Sequence, residues 1–146
     1  MRRLTSTAAL VAISLVLSGC LSAGGGSGGG TAAALTEPTR PPAATVIAAM
    51  EGGLIGGQIG EKLDNSEKQR GLEAEYKALE YTPNGQTVTW RSERSQRYGE
   101  VVAGQPYRVG SQDCRQYSHT VFDGGPQRVA RGTACRNADG SWTPLS

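Results

Sequence analysis

The chain has 146 residues, 15 Lys and Arg against 13 Asp and Glu, one His, three Cys and 21 Gly. A formal charge of +2 gives no electrostatic footprint for nucleic acid, and one His with so few Cys cannot close a zinc site. With only eight aromatic residues, a long Gly-rich stretch and a short foldable remainder, burial alone leaves stability marginal and a covalent staple is expected.

The first twenty residues decide the compartment. Arg2 and Arg3 precede the apolar run Leu10-Val11-Ala12-Ile13-Ser14-Leu15-Val16-Leu17, which is too short to span a bilayer. Basic start, apolar middle and small residues before a break are the three regions of a secretory signal peptide. Leu17-Ser18-Gly19-Cys20 resembles the lipobox of bacterial lipoproteins. That resemblance implies cleavage of residues 1–19, a diacylglycerol on the Cys20 thiol and acylation of the new amino group. Several acyl chains on one residue make a stable anchor, where one alone holds only marginally. Leu21 is not Asp, so the expected destination is the outer membrane. Cleavage removes Arg2 and Arg3, leaving thirteen charges of each sign.

Residues 20–45 read as a tether. Ala23-Gly24-Gly25-Gly26-Ser27-Gly28-Gly29-Gly30 is flexible coil, and Glu37-Pro38-Thr39-Arg40-Pro41-Pro42 is stiffer. A coil of this length reaches on the order of 25–30 Å.

Residues 46–61 form a glycine-zipper-like segment. Ala44, Ala48, Gly52, Gly56 and Gly60 recur every four residues, with Ala49, Gly53 and Gly57 beside them. At helical spacing these residues line a groove of bare backbone, a possible face for self-association of the small-xxx-small kind. Glu51 and the shortness of the apolar run oppose a membrane span, and so many Gly weaken a helix in water. A flexible linker is the other reading of the segment.

The domain proper is expected over residues 62–146. Ser66-Glu67-Lys68-Gln69 has the form of a capping box, with Asp64 just upstream as a competing cap. Leu72, Tyr76 and Leu79 then make one stripe of an amphipathic helix running through Glu80, stopped at Thr82-Pro83-Asn84-Gly85. Beyond residue 85 the period changes to two. Val88 and Trp90 alternate with Thr87, Thr89 and Arg91. Further extended stretches are Tyr98–Ala103, Pro106–Val109, Cys114–Phe122, Gln127–Arg136 and Ser141–Thr143. The fold class is α+β: one amphipathic helix against a small antiparallel sheet of about five strands.

Cys114 and Cys135 lie in consecutive strands joined by Asp123-Gly124-Gly125-Pro126. If Gly124 and Gly125 are the loop, Phe122 faces Gln127, His119 faces Ala130 and Cys114 faces Cys135. The thiols are then opposite one another, at a separation that suits a disulfide. Pro126 cannot donate the bond a tight turn wants, so the loop opens to four residues with the same pairing. A free buried pair is the alternative.

No catalytic residue, metal or cofactor is indicated. Paired carboxylates, a phosphate-binding loop and a nucleophile elbow are absent. Cys114 and His119 fall on opposite faces of one strand, and His119 reads as a solvent-facing strand residue. Residues 91–146 carry eight Arg, no Lys and five acids. An Arg face of this kind suits an anionic envelope component, with Arg115 and Arg131 as its test positions; a solvated sheet face is the other reading.

Taken together, Gly52-Gly53-Leu54-Ile55-Gly56-Gly57-Gln58-Ile59-Gly60-Glu61-Lys62-Leu63-Asp64 after a lipobox resembles the rickettsial seventeen-kilodalton surface antigen family. So do Gly85-Gln86-Thr87-Val88-Thr89-Trp90-Arg91, Cys114-Arg115-Gln116-Tyr117, Gly132-Thr133-Ala134-Cys135-Arg136 and Asp139-Gly140-Ser141-Trp142. The resemblance implies an outer-membrane, lipid-anchored, immunogenic protein with no established catalytic activity. Members of that family usually carry a longer glycine zipper, of which only the second half is present here. The expected function is a non-enzymatic, surface antigen-like lipoprotein with a structural or envelope-associated role. The alternative is a periplasm-facing binding module, such as a cell-wall hydrolase inhibitor or an accessory subunit of an envelope complex.

Overall fold

The structure is a computed structural model and describes residues 44–145. The expected signal peptide, Cys20 and all but the last two residues of the expected tether lie outside the described residues. Among those described, no helix is long and apolar enough to cross a membrane.

The element order is α1 (Ala44–Ala48), a 3-10 turn (Gln58–Gly60), α2 (Asn65–Glu80), then β1 (Thr87–Arg91), β2 (Tyr98–Ala103), β3 (Tyr107–Val109), β4 (Gln112–Phe122), β5 (Arg128–Arg136) and β6 (Trp142–Leu145). The six strands form one antiparallel open sheet in the order β1-β2-β4-β5-β6, with β3 pairing the first residues of β4. The class is α+β. The sheet holds six strands rather than about five, because β4 is long enough to pair with both β2 and β3 along one side.

Helix α2 is capped by Asp64, not Ser66. The Asp64 side chain accepts from the Glu67 amide, and the Glu67 side chain accepts from the Asp64 amide, closing a capping box. Asp64 has the extended backbone a cap needs, whereas Ser66 already lies inside the helix and is exposed. Glu67 is almost fully buried. Burial alone would raise its pKa, but hydrogen bonds from Ser92, the Asp64 amide, Ser95 and Arg97 outweigh it and hold the group at about 2. Those bonds join the start of α2 to the loop between β1 and β2.

One face of the sheet packs on α2. Val88, Trp90, Val101, Ala103, Tyr117, Val121 and Ala134 face Ala74, Ala78 and Leu79 in a single core. Each large apolar side chain removed from water there contributes about 1.5–3 kcal/mol before the cost of ordering it. Of the expected helical stripe, Tyr76 and Leu79 are buried and Leu72 packs at the margin.

The glycine-rich segment departs from its expected form. The helical ladder does not form, because Glu51, Gly52 and Gly53 all have positive φ and turn the chain out of the helix just begun at α1. Residues 49–56 are turns and Gly57 is a bend. Ala48, Gly52, Gly53, Gly56, Gly57 and Gly60 therefore share no helix face. The larger residues between them do the packing: Ile47, Met50, Ile55 and Ile59 are buried in the same core as the sheet and α2. A boundary at residue 62 consequently divides what the structure builds as one hydrophobic core.

Candidate functional site

The most chemically dense place in the molecule is a polar cluster buried between α2, the sheet and the glycine-rich turn. Glu75 on α2 and His119 on β4 are both completely buried. One Glu75 oxygen accepts from the Ile55 amide at 2.8 Å and faces His119 Nδ1 at 2.7 Å, while the other accepts from the Leu54 amide at 3.0 Å. On the far side of the imidazole, Trp90 Nε1 donates to His119 Nε2 at 2.7 Å. An indole N–H is only ever a donor, so Nε2 is the acceptor and the proton sits on Nδ1, aimed at Glu75. The imidazole is held in one tautomer from both sides.

Small residues make room for this cluster. A side chain at Gly53 would collide with the Glu75 carboxylate, and one at Gly71 would lie 2.8 Å from Ile55 and 3.2 Å from His119. A side chain at Gly99 would run into the Trp90 indole nitrogen. Tyr117 faces the same region. Its hydroxyl is buried with no hydrogen-bond partner among the described residues, and burial, followed by the charge of Glu75, pushes its ionisation upward. Because Glu75 and His119 are wholly enclosed, no substrate reaches either one in this arrangement. Its chemistry is that of a latch: a buried carboxylate ties two backbone amides of the glycine-rich turn to the helix, and the helix to the sheet.

This places His119 against its expectation. It is not solvent-facing but the most enclosed polar residue of β4. The strand period puts it on the same face as Tyr117 and Val121, and that is the face α2 covers.

Arg115 likewise leaves the surface. Its Nη1 reaches the carbonyls of Ala78, Leu79 and Thr82 at 3.0, 2.6 and 3.1 Å, and its Nε donates to the Gly104 carbonyl at 2.8 Å. The last carbonyls of a helix have no partner within it and carry its negative pole, so a guanidinium there is doubly favourable. Burial pulls the Arg115 pKa down, opposed by nearby Glu80. Next to it, Arg136 holds both oxygens of Glu80 at 2.8 Å while Trp142 Nε1 donates to one of them. Burial would raise the Glu80 pKa, but these bonds bring it below the usual carboxylate value.

Cys114 and Cys135 pair directly across β4 and β5 and form a disulfide, with Cα atoms 4.0 Å apart. The whole β4–β5 register, including His119 opposite Ala130, is the one derived from the loop position, and the loop is open as Pro126 requires.

The opposite face of the sheet is covered by no described element. It presents Thr87, Thr89 and Arg91 from β1, Glu100 and Val102 from β2, Ser118 and Thr120 from β4, and Val129 and Arg131 from β5. At one end, Arg91 lies over the Tyr98 ring, which stacks on Phe122. Near the centre is a shallow depression of about 480 Å³ bordered by Val102, Gln116, Ser118, Arg131 and Thr133. Of the arginines in strands, Arg91, Arg108, Arg115, Arg128 and Arg136 each meet a partner, whereas Arg131 meets none among the described residues. The Arg-rich half is thus mostly internal bracing, with Arg131 as the strand guanidinium left open. No three His, Cys, Asp or Glu of the described residues are grouped to hold a metal.

Comparison with known proteins bears on this same half of the chain. Residues 77–143, from the last turn of α2 into β6, match the family described as 17 kDa outer membrane surface antigen. Over those residues the chain is similar to the 17 kDa surface antigens. The 17 kDa surface antigen of Rickettsia bellii is 40% identical over 86 residues, covering 58% of this chain and 54% of that protein. Its counterpart in Rickettsia conorii is 38% identical over 81 residues, 55% of this chain and 51% of the relative. That of Rickettsia amblyommatis reaches 48% over 65 residues, 44% and 42% respectively. The chain spans about half the length of the curated relatives it matches. No solved structure matches it.

Sequence reasoning missed the latch. The signal available was the small-residue row Gly71, Ala74 and Ala78 on α2 with Glu75 among them, a carboxylate on a face otherwise fit only for close packing.

Proposed function

We propose that this protein is a non-enzymatic, lipid-anchored lipoprotein of the outer membrane, displaying a surface antigen-like domain in a structural or envelope-associated role. The observation that carries the reading is the family match of residues 77–143 to outer membrane surface antigens, in a chain whose residues 17–20 read Leu-Ser-Gly-Cys. Cys20 carries the anchor and residues 21–43 lead to the domain. The inward-turned chemistry is consistent with display rather than turnover, because the carboxylate–imidazole pair is enclosed and holds backbone amides.

The test is protease accessibility of residues 85–146 in intact and permeabilised cells, with Cys20→Ala as the unanchored control. Digestion in intact cells places the domain outside, and protection until the outer membrane is opened places it in the periplasm. If Cys20→Ala stays as firmly in the membrane, the anchor is wrong.

Arg131 favours one addition to this reading. An open guanidinium beside Ser118, Gln116 and Thr133 suits an anionic envelope component such as peptidoglycan carboxylates. Arg131→Ala should weaken co-sedimentation with purified sacculi without lowering the melting temperature. Unchanged co-sedimentation removes that partner.

A further inference from the structure

The two ends of the sheet differ in a way that points to a partner. Strand β1 is one end of the sheet and β6 the other, while the three-residue β3, paired to β4 alone, leaves a short third edge. In an antiparallel pair, residues alternate between those bonded to the neighbour and those whose N–H and C=O point away from it. Beyond the end of β1, the Ser92 amide donates to the Arg97 carbonyl, in the register that pairs Arg91 with Tyr98. The alternation then sends the backbone groups of Val88 and Trp90 toward β2. Those of Thr87, Thr89 and Arg91 point out from the sheet edge.

The same count on β6 starts from the Asn137 amide donating to the Ser141 carbonyl, in the register that pairs Arg136 with Trp142. It turns Trp142 and Pro144 outward. Proline has no N–H to offer, so β6 is closed as a template, in the manner by which native sheets blunt an edge. Strand β1 has no Pro, no bulge and no charge on its buried face. Among the described residues nothing pairs with its outer side.

We propose that β1 is the interface between two copies of this chain, paired antiparallel about Thr89. In that register Thr89 faces Thr89 of the second copy and Thr87 faces its Arg91. All outward-pointing backbone groups of the strand are then bonded. On the helix side, Val88 of one copy lies beside Trp90 of the other, extending the apolar face across the join. No like charges stand opposite one another, and Arg91 keeps its place over Tyr98. Moving the register by two residues in either direction leaves outward groups unpaired, and moving it by one sets outward groups against side-facing ones. Because Pro144 closes β6 and the remaining free edge, β3, is only three residues long, the assembly stops at two copies instead of growing into a fibre. The expected self-association is thereby relocated. The glycine-rich segment is folded into the core, and the sheet edge is what remains free for it.

The test uses the full chain. Residues facing each other across a hydrogen-bonded antiparallel pair have Cα atoms about 5.5 Å apart, within disulfide range. Thr89→Cys, on an exposed side chain, should give a covalent dimer in native membranes on mild oxidation. Thr87→Cys places its thiols about 13 Å apart and should give roughly tenfold less. Equal crosslinking at both positions, crosslinking of Thr89→Cys to a different protein, or no crosslinking overturns the proposal. Independently, the wild-type chain in detergent should have the mass of a dimer by light scattering. Thr89→Pro, which deletes the outward N–H at the dyad and none bonded to β2, should have that of a monomer. A monomeric wild type, or a folded Thr89→Pro that stays dimeric, overturns it equally.

Discussion

Removing the Glu75 carboxylate should be the most damaging single change in the domain. Glu75→Ala leaves two buried donors, the Ile55 amide and His119 Nδ1, and the part-buried Leu54 amide without an acceptor. An orphaned buried donor costs about 1–3 kcal/mol, and removing one partner of a buried pair about 3–5 kcal/mol in total, because the losses are coupled. A loss of about 4 kcal/mol is therefore expected. A domain of this size has only about 5–10 kcal/mol to lose, so the melting temperature should fall by roughly 15 °C or more. Glu75→Gln keeps one oxygen but sets an NH2 against a second donor, and should cost about half as much. Urea unfolding followed by fluorescence of the buried Trp90 and Trp142 measures both. Hydrogen exchange supplies the site-specific readout. The Leu54 and Ile55 amides should lose protection in Glu75→Gln while the β2–β4 amides keep theirs. A cost for Glu75→Ala below about 1 kcal/mol, or unchanged protection at Leu54 and Ile55, would refute the latch.

Other changes separate the remaining braces. Cys135→Ser should lower the melting temperature by roughly 10–20 °C, since a crosslink closing a loop of this length contributes about 3 kcal/mol, and reductant should abolish the difference from wild type. Arg115→Met, which strips the carbonyls of Ala78, Leu79 and Thr82 of their donor, should cost about 2–3 kcal/mol in urea unfolding, whereas Arg131→Met should change stability by under about 0.5 kcal/mol. Acid should act through Glu67. Its folded pKa of about 2 lies below the ordinary 4.5, so its contribution is complete above pH 4.5 and is lost as pH falls toward 2. That contribution is about 3 kcal/mol, and Glu67→Gln should flatten the stability profile between those pH values; an unaltered acid limb would count against the brace.

Much of the sheet was legible in the chain because its determinants are local. Alternation places Val88 and Trp90 on one face, and Tyr98–Ala103 is bounded as expected. The Asp123–Pro126 loop sets the β4–β5 register and with it the position of Cys114 opposite Cys135. Helix α2 follows from its stripe and its stop signal, with the cap moved to Asp64 because two acceptors competed for the same first turn. These are properties of spacing and turn chemistry within a few residues. Three other properties depend on which face of the sheet the helix covers, and the strand period alone leaves the two faces equivalent. That choice buries His119, sends Arg115 to the end of α2 and leaves Arg131 open. The glycine-rich segment depends on tertiary structure most of all. Its spacing suits a helix groove, but positive φ at Gly52 and Gly53 turns the chain so that Ile55 reaches the core and its amide reaches Glu75. A carboxylate twenty residues away selects that turn over the helix, and only a folded chain brings the two together.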